Sequence, residues 1–507
     1  MFKKNKVAIS VATGILGAMG VITSAQAVHV NPDGTGQVLL FPYFNANEGY
    51  VTNINLVNST DQTKAVKIRF REGKSSNDVL DFNIYMSPQD TWTGSVKAGD
   101  DGEGNIVGML STNDRTCTLP ALASCEDGKC LAEQAFTGQN VYKGVTAEDT
   151  REGYVEVVEM GVVTDPTVKA GVLHKNGKPA NCTAVEDAWR TASQGGKGTF
   201  TQGVGSAAAG MGAPTGGLFG SSAILNVAKG AAFAVDPVAL DNYSTQAQHW
   251  LSDDPDYFLL PSLASGNVST SEVMTRNAAG ESELVVTDWN AASDACLDLD
   301  DPLIPACGTN PYPVAHVLLA PSLMNEYFLD PTDGYDGHTD WVVTFPMKKH
   351  GINMATTDVA ASFENGIYDR EEGQAGVKTT SGFGFSPVLP GKKADSSILG
   401  REVNVISFKS TDPSYDASYS VLSSNAKQSI SVGAFVSGWA RLSFPGYSLG
   451  GGFKSASAYS PHPGSYSASS NLYKGVPAVG AAFLDGNVSQ NPNARFGDAL
   501  PHKIQRD

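Results

Sequence analysis

Residues 66–71 alternate strictly: Val66, Ile68 and Phe70 interleave with Lys67, Arg69 and Arg71. A period of two is the signature of a strand, whose successive side chains point to opposite faces. One face is therefore expected on a core and the basic face in solvent, as in a half-buried antiparallel sheet. Leu80, Phe82, Ile84 and Met86 repeat the period. Further short apolar or alternating segments occur at 38–44, 50–57, 92–96 and 153–160, separated by turn residues. Strands this short, spaced by roughly 10 to 14 residues, predict a mainly β chain of antiparallel β-sandwich-like domains with long loops and a few short helices.

The rest of the chain reads more coarsely. Residues 97–150 are loop-rich. Val185, Ala188 and Trp189 have helical spacing and predict a short helix over 183–193. Residues 195–220 are rich in Gly, Ala, Ser and Thr and predict a long loop, in which Gly203-Val204-Gly205 lacks the strand and helix that a phosphate cradle needs. A strand pair at 224–227 and 232–235, a helical turn at 237–243 and a polar, acidic stretch at 250–310 follow. A second set of strands is predicted at 314–319, 341–345, 403–408, 429–435, 439–444 and 476–483. With 507 residues and about 150 per domain, two or three units are expected. The division drawn is 28–190 (β-sandwich-like), 191–310 (Gly-rich loop and acidic insertion) and 311–507 (β-rich).

Residues 1–27 read as a signal peptide. Lys3, Lys4 and Lys6 precede an uncharged run, and Ala25-Gln26-Ala27 supplies the small residues of a cleavage site. Export to the periplasm or the cell surface is expected, with no transmembrane anchor after cleavage. Loss of the three leader lysines makes the formal net charge of −17 more negative still. An acidic surface repels nucleic acid and anionic lipid. Six cysteines, Cys117, Cys125, Cys130, Cys182, Cys296 and Cys307, are an even set that an oxidising compartment converts to disulfides. Of fifteen possible pairings, the one chosen joins Cys296 to Cys307, Cys125 to Cys130 and Cys117 to Cys182.

Motifs for chemistry are sparse. Asp330, Asp333, Asp336 and Asp340, spaced by glycines, are the best candidate site, a set of oxygen ligands for Ca²⁺ without the EF-hand order. Asp100, Asp101, Glu103 and Asn105 form a weaker one. Gly446-Tyr447-Ser448-Leu449-Gly450 spells G-x-S-x-G, but glycines follow where a nucleophile elbow requires a helix. Glu156 and Glu159 are three apart, so on a strand they face opposite ways and make no acid/base pair. His249 and His316, beside or within apolar segments, read as packing histidines. No catalytic residue is assigned.

Val28-His29-Val30-Asn31-Pro32-Asp33-Gly34, Lys67-Ile68-Arg69-Phe70-Arg71-Glu72-Gly73, Asp340-Trp341-Val342-Val343-Thr344-Phe345-Pro346 and Tyr368-Asp369-Arg370-Glu371-Glu372 resemble an uncharacterised family of secreted "cell surface" proteins of Gram-negative bacteria. That resemblance implies export and no catalytic motif. The function expected is a secreted, non-catalytic cell-surface or extracellular-matrix protein acting by protein contacts, self-assembly included. Tyrosines of 459–473 are candidate contacts. The alternatives are an adhesin that binds surface glycans with Ca²⁺, and an exported hydrolase with dispersed carboxylates.

Overall fold

The computed structural model describes residues 27–506, apart from 123–130, 138–143, 255, 278, 290–309, 333–334, 351–357, 364, 375–396, 450–454, 460–470 and 488–494. The architecture is mainly β, in several antiparallel sheets that do not close into a barrel. Two sheets form the N-terminal sandwich. One runs His29–Val30, Val38–Asn45, Glu152–Val163, Lys64–Glu72, Asp78–Met86 and Cys117–Leu119, with Val238–Asp241 inserted between the first two. The other runs Ala231–Val235, Leu218–Asn226, Val51–Asn58, Thr91–Asp100, Ile106–Thr112 and Ala132–Ala135. Leu39, Phe41, Val66, Ile68, Phe70, Ile84, Trp92, Val155 and Val157 pack between them. The apolar half of the 66–71 alternation faces this core as its period requires.

The basic half does not lie in solvent. Lys67, Arg69 and Arg71 are buried, because the outer face of their sheet is covered by the chain between Trp250 and Pro261 and by the C-terminal half. Alternation gives the direction of a side chain, and says nothing of what is laid over it.

Several local expectations are corrected. Residues 237–243 contain a strand, Val238–Asp241, paired with Val38–Asn45, where a helical turn was expected. Residues 314–319 are mostly the helix Tyr312–Val317, entered through Pro311 and Pro313. Five of its six residues are buried, so it shows no polar stripe, and an apolar run without periodicity does not distinguish a strand from a buried helix. Residues 97–150 hold strands at Ile106–Thr112, Cys117–Leu119 and Ala132–Ala135, and the acidic 250–310 stretch holds the hairpin Thr270–Arg276 and Ser282–Asp288. The helix Thr183–Trp189 forms where its spacing placed it and is tied to the sandwich by the Cys117–Cys182 disulfide. The other four cysteines lie outside the described residues.

In the C-terminal half, a five-stranded sheet runs Lys427–Ser431, Val403–Lys409, His338–Thr344, Val479–Asn487 and Arg495–Pro501. A four-stranded sheet runs Ile367–Asp369, Ser437–Ser443, Ser322–Phe328 and Lys503–Ile504. Trp341, Val343, Ile406, Phe408, Leu323, Tyr327, Ala440 and Leu442 fill the space between them. The opposite face of the five-stranded sheet, with Val342, Val405, Ala481 and Phe483, packs on Tyr43, Tyr50, Tyr154 and Phe233 of the N-terminal sandwich. Burial on both faces explains why 341–345 is nearly continuously apolar instead of alternating. Strands from 218–241 complete both N-terminal sheets, so the chain returns to the first sandwich after residue 190.

Candidate contact surface

Three polar places stand out, and they differ in what their groups have left to offer. The first is the covered basic face. Lys67 Nζ lies 2.9 Å from Asp81 and donates to Ser252 Oγ at 2.7 Å; Arg69 Nε lies 2.5 Å from Asp78, and its other nitrogens donate to the Pro261 and Phe258 carbonyls. Arg71 pairs with Glu156 at 2.8 Å. Burial alone would raise the Glu156 carboxyl, but Arg71 and Arg69 outweigh it and hold it below the usual range. Burial pushes Glu402, beside this layer, up to about 7 against the pull of Lys348. Glu159 faces the other way, as its spacing from Glu156 demands, and pairs with the buried Lys64 at 2.6 Å. These charges are spent on one another and on the covering segment. Ion pairs of this kind fix geometry more than they add stability, because desolvation consumes most of the Coulombic gain.

The second place is the seam between the halves, where the loop 410–426 lies against both. Asp340, fully buried, accepts from Ser407 Oγ (2.6 Å), Ser420 Oγ (3.1 Å) and the Leu422 amide (3.0 Å). Asp485 takes the Tyr419 hydroxyl and faces Arg495 at 3.6 Å, and its buried carboxyl is raised by desolvation. From the N-terminal side Tyr50 donates to the Val421 carbonyl, Asn45 to that of Leu422, and Glu152 accepts from Ser424 and the Ala426 amide.

The aspartates expected to hold Ca²⁺ divide among different partners. Asp340 secures this loop; Asp336 meets His338 Nε2 at 3.1 Å; Asp330 caps its own turn through the Thr332 amide; Asp333 lies outside the described residues. Among the described residues no group of three or more His, Cys, Asp or Glu side chains is placed to hold a metal ion. Asp100 and Asp101 accept from amides of their own turn, at Gly102, Glu103 and Asn105. Ser448 pairs with Lys474 in an isolated β-bridge, and Gly450 lies outside the described residues. His249 and His316 are fully buried, with Tyr85 and Ser271 as hydrogen-bond partners, the second on a helix where a strand was expected. Of the aromatic stretch 459–473, residues 460–470 lie outside the described residues; Tyr473 is buried against His316 and Trp289.

The third place is the outward face of the four-stranded sheet, which sequence reasoning missed. Cross-strand register puts Lys503, Met324 and Arg441 in one row, and Glu326, Trp439 and Tyr368 in the next. Trp439 is 36% exposed, high for so large an apolar ring on a strand. The Tyr368 and Trp439 rings stack at 4.6 Å with 12° between their planes, and the Arg441 guanidinium covers Trp439 at 5.6 Å. Gly438 permits the close approach of the Tyr368 strand: a Cβ there would lie 1.9 Å from the Tyr368 carbonyl oxygen. Among the described residues Glu326, Arg441 and Lys503 have no ion-pair partner, and Glu326 and Lys503 are exposed. The available signal was the pairing of Trp439 and Arg441 two apart on a strand, which puts both on one face.

Among the described residues no helix is long and apolar enough to cross a membrane. A disulfide fits folding outside the reducing cytoplasm. No protein-family description, curated protein or solved structure matches the chain.

Proposed function

We propose that this is a secreted, non-catalytic cell-surface or extracellular-matrix protein that works by protein contacts, with copies of itself among its partners. The observation that carries this reading is the ladder of Tyr368, Trp439 and Arg441 on the outward face of the four-stranded sheet, where Trp439 is partly exposed. Trp, Tyr and Arg are the residues that dominate binding energy at protein interfaces, and here they are held in place by stacking before any partner arrives. Export is supported by the basic, apolar and small-residue order of 1–27 and by the disulfide.

A glycan-binding platform presents an open ring face to the sugar. Tyr368 is stacked on the Trp439 ring and the Arg441 guanidinium lies 5.6 Å from its centroid, so less of the ring is left for a stacked sugar, which favours a protein contact. Light scattering and negative-stain microscopy over a concentration series, with and without Ca²⁺, test the reading. Concentration-dependent assembly that Trp439→Ala weakens at least about tenfold is expected for an anchor of this kind. A persistent monomer that is retained on glycan arrays would overturn it in favour of the adhesin.

A further inference from the structure

We infer that the outward face of the four-stranded sheet docks onto the same face of a second copy, about a twofold axis that runs across the strands between its two rows. The inference rests on the contact function proposed above and supplies the partner and the geometry. Its ground is the register. In sheet order, the first row reads Lys503, Met324, Arg441, and the second reads Glu326, Trp439, Tyr368, with Glu326 next to Met324 along one strand and Trp439 next to Arg441 along its neighbour.

A twofold axis lying in the plane between two such faces, parallel to the rows, exchanges them. Each Glu326 then lies over the partner's Met324, flanked at about one strand spacing, roughly 4.8 Å, by the partner's Lys503 and the partner's Arg441. Each Trp439 lies over the partner's Arg441. The acidic group of each face thus meets the two basic groups of the other, and the arrangement is satisfied twice by one operation, which is the requirement for an isologous contact. An axis along the strands does less, because it sets Glu326 against acid or apolar side chains of its own row. None of the three charges brought together has an ion-pair partner within its own chain among the described residues.

The face is four strands wide, about 15–20 Å, and smaller than the roughly 800 Å² per partner of a standard stable complex. The contact is therefore expected to be concentration-dependent, in the micromolar range, despite the acidic surface of the whole chain.

The test is sedimentation equilibrium on the full chain, with Glu326→Lys and Arg441→Glu made singly and together. Each single change sets like charges opposite each other at two symmetry-related places, so each homodimer is expected to weaken about tenfold or more. A mixture of the two single variants restores opposite charges at both places, and is expected to form a mixed dimer tighter than either variant alone. Both positions are on the sheet surface, and an unchanged melting temperature confirms that the variants fold. If the native chain associates but these changes and the mixture leave association unaltered, this face is not the contact, while self-association stands. If the native chain stays monomeric to about millimolar concentration, both this docking and the self-assembly behind it are overturned.

Discussion

Side chain by side chain, this protein keeps ionisable groups in places where water does not reach, and the histidines show the consequence best. His249, His316 and His350 are buried and held neutral, each with its pKa lowered by desolvation to about 3, and His502 is lowered to about 4. In the unfolded chain the same rings take up protons near 6.5. Between these values the unfolded state binds more protons than the folded one, so stability falls as pH falls below about 6.5. Glu402 works in the other direction: its folded pKa of about 7 exceeds the unfolded value, so its contribution is lost as pH rises toward 7. Asp78, raised by burial to about 6, and Glu72, Asp90, Glu152, Glu159 and Asp485, raised by burial too, act with Glu402 and against the histidines, so acid destabilisation is expected of each histidine singly. Replacing His249 by Asn removes one of these protons and should reduce the slope of unfolding free energy against pH by about 1.4 kcal/mol per pH unit between pH 4 and 6. Denaturant titrations across that range decide the point; an unchanged slope shows that His249 is not held neutral. The sequence made His249 and His316 legible as packing residues. It did not disclose the buried fate of Lys67, Arg69 and Arg71, because the segment that covers them starts some 180 residues later in the chain.

Elements were legible where apolar and polar residues alternate or a short apolar run is bounded by turn residues, whatever later covers the polar face. Lys64–Glu72, Asp78–Met86 and Thr91–Asp100 lie over segments whose alternation or apolar run announced a strand, whereas Leu218–Asn226 begins inside the stretch 195–220 read as a long loop and was announced only from 224. The helix Tyr312–Val317 was not, since uniform burial erases the periodicity that separates helix from strand. Loops are harder still, because their conformation is set by partners distant in sequence. The 410–426 loop illustrates this. Asp340 belongs to a strand, is one of the four aspartates read as Ca²⁺ ligands, and accepts three hydrogen bonds that secure this loop to the sheet. Asp340→Ala leaves two buried hydroxyls and one amide without an acceptor, at about 1–3 kcal/mol for each group that water does not rescue. The expected outcome is a loss of amide protection centred on Leu422, measurable by hydrogen exchange, with a smaller change in Val38–Asn45 and Glu152–Val163 of the N-terminal sandwich. Added Ca²⁺ should not restore that protection; restoration would return Asp340 to the role of cation ligand.

At the scale of the whole molecule the two halves share a core, and that sharing was the least legible feature. A continuous apolar run at 341–345 says that both sides of a strand are buried, without naming the neighbour on either side. The neighbour is the N-terminal sandwich: Phe483 sits edge-on to Tyr43 at 6.0 Å and to Phe233 at 5.4 Å, while Val342 and Val405 join Tyr154 in the same cluster. The 410–426 loop ties the halves again through Tyr50, Asn45 and Glu152. Interdomain surfaces in one chain are usually modest and polar, which allows domains to unfold separately. Here the seam contains large aromatic side chains at the burial of an ordinary core, so unfolding one half strips apolar cover from the other. Phe483→Ala removes a ring from the middle of that seam and should cost about 3–5 kcal/mol. Its cost falls on both halves together. Thermal unfolding followed by near-UV signals and by proteolysis of the N-terminal sandwich is expected to move as one transition to lower temperature. Separate transitions, with only the C-terminal one displaced, would instead make the halves independent domains, and the contact face on the four-stranded sheet would then belong to the C-terminal one alone.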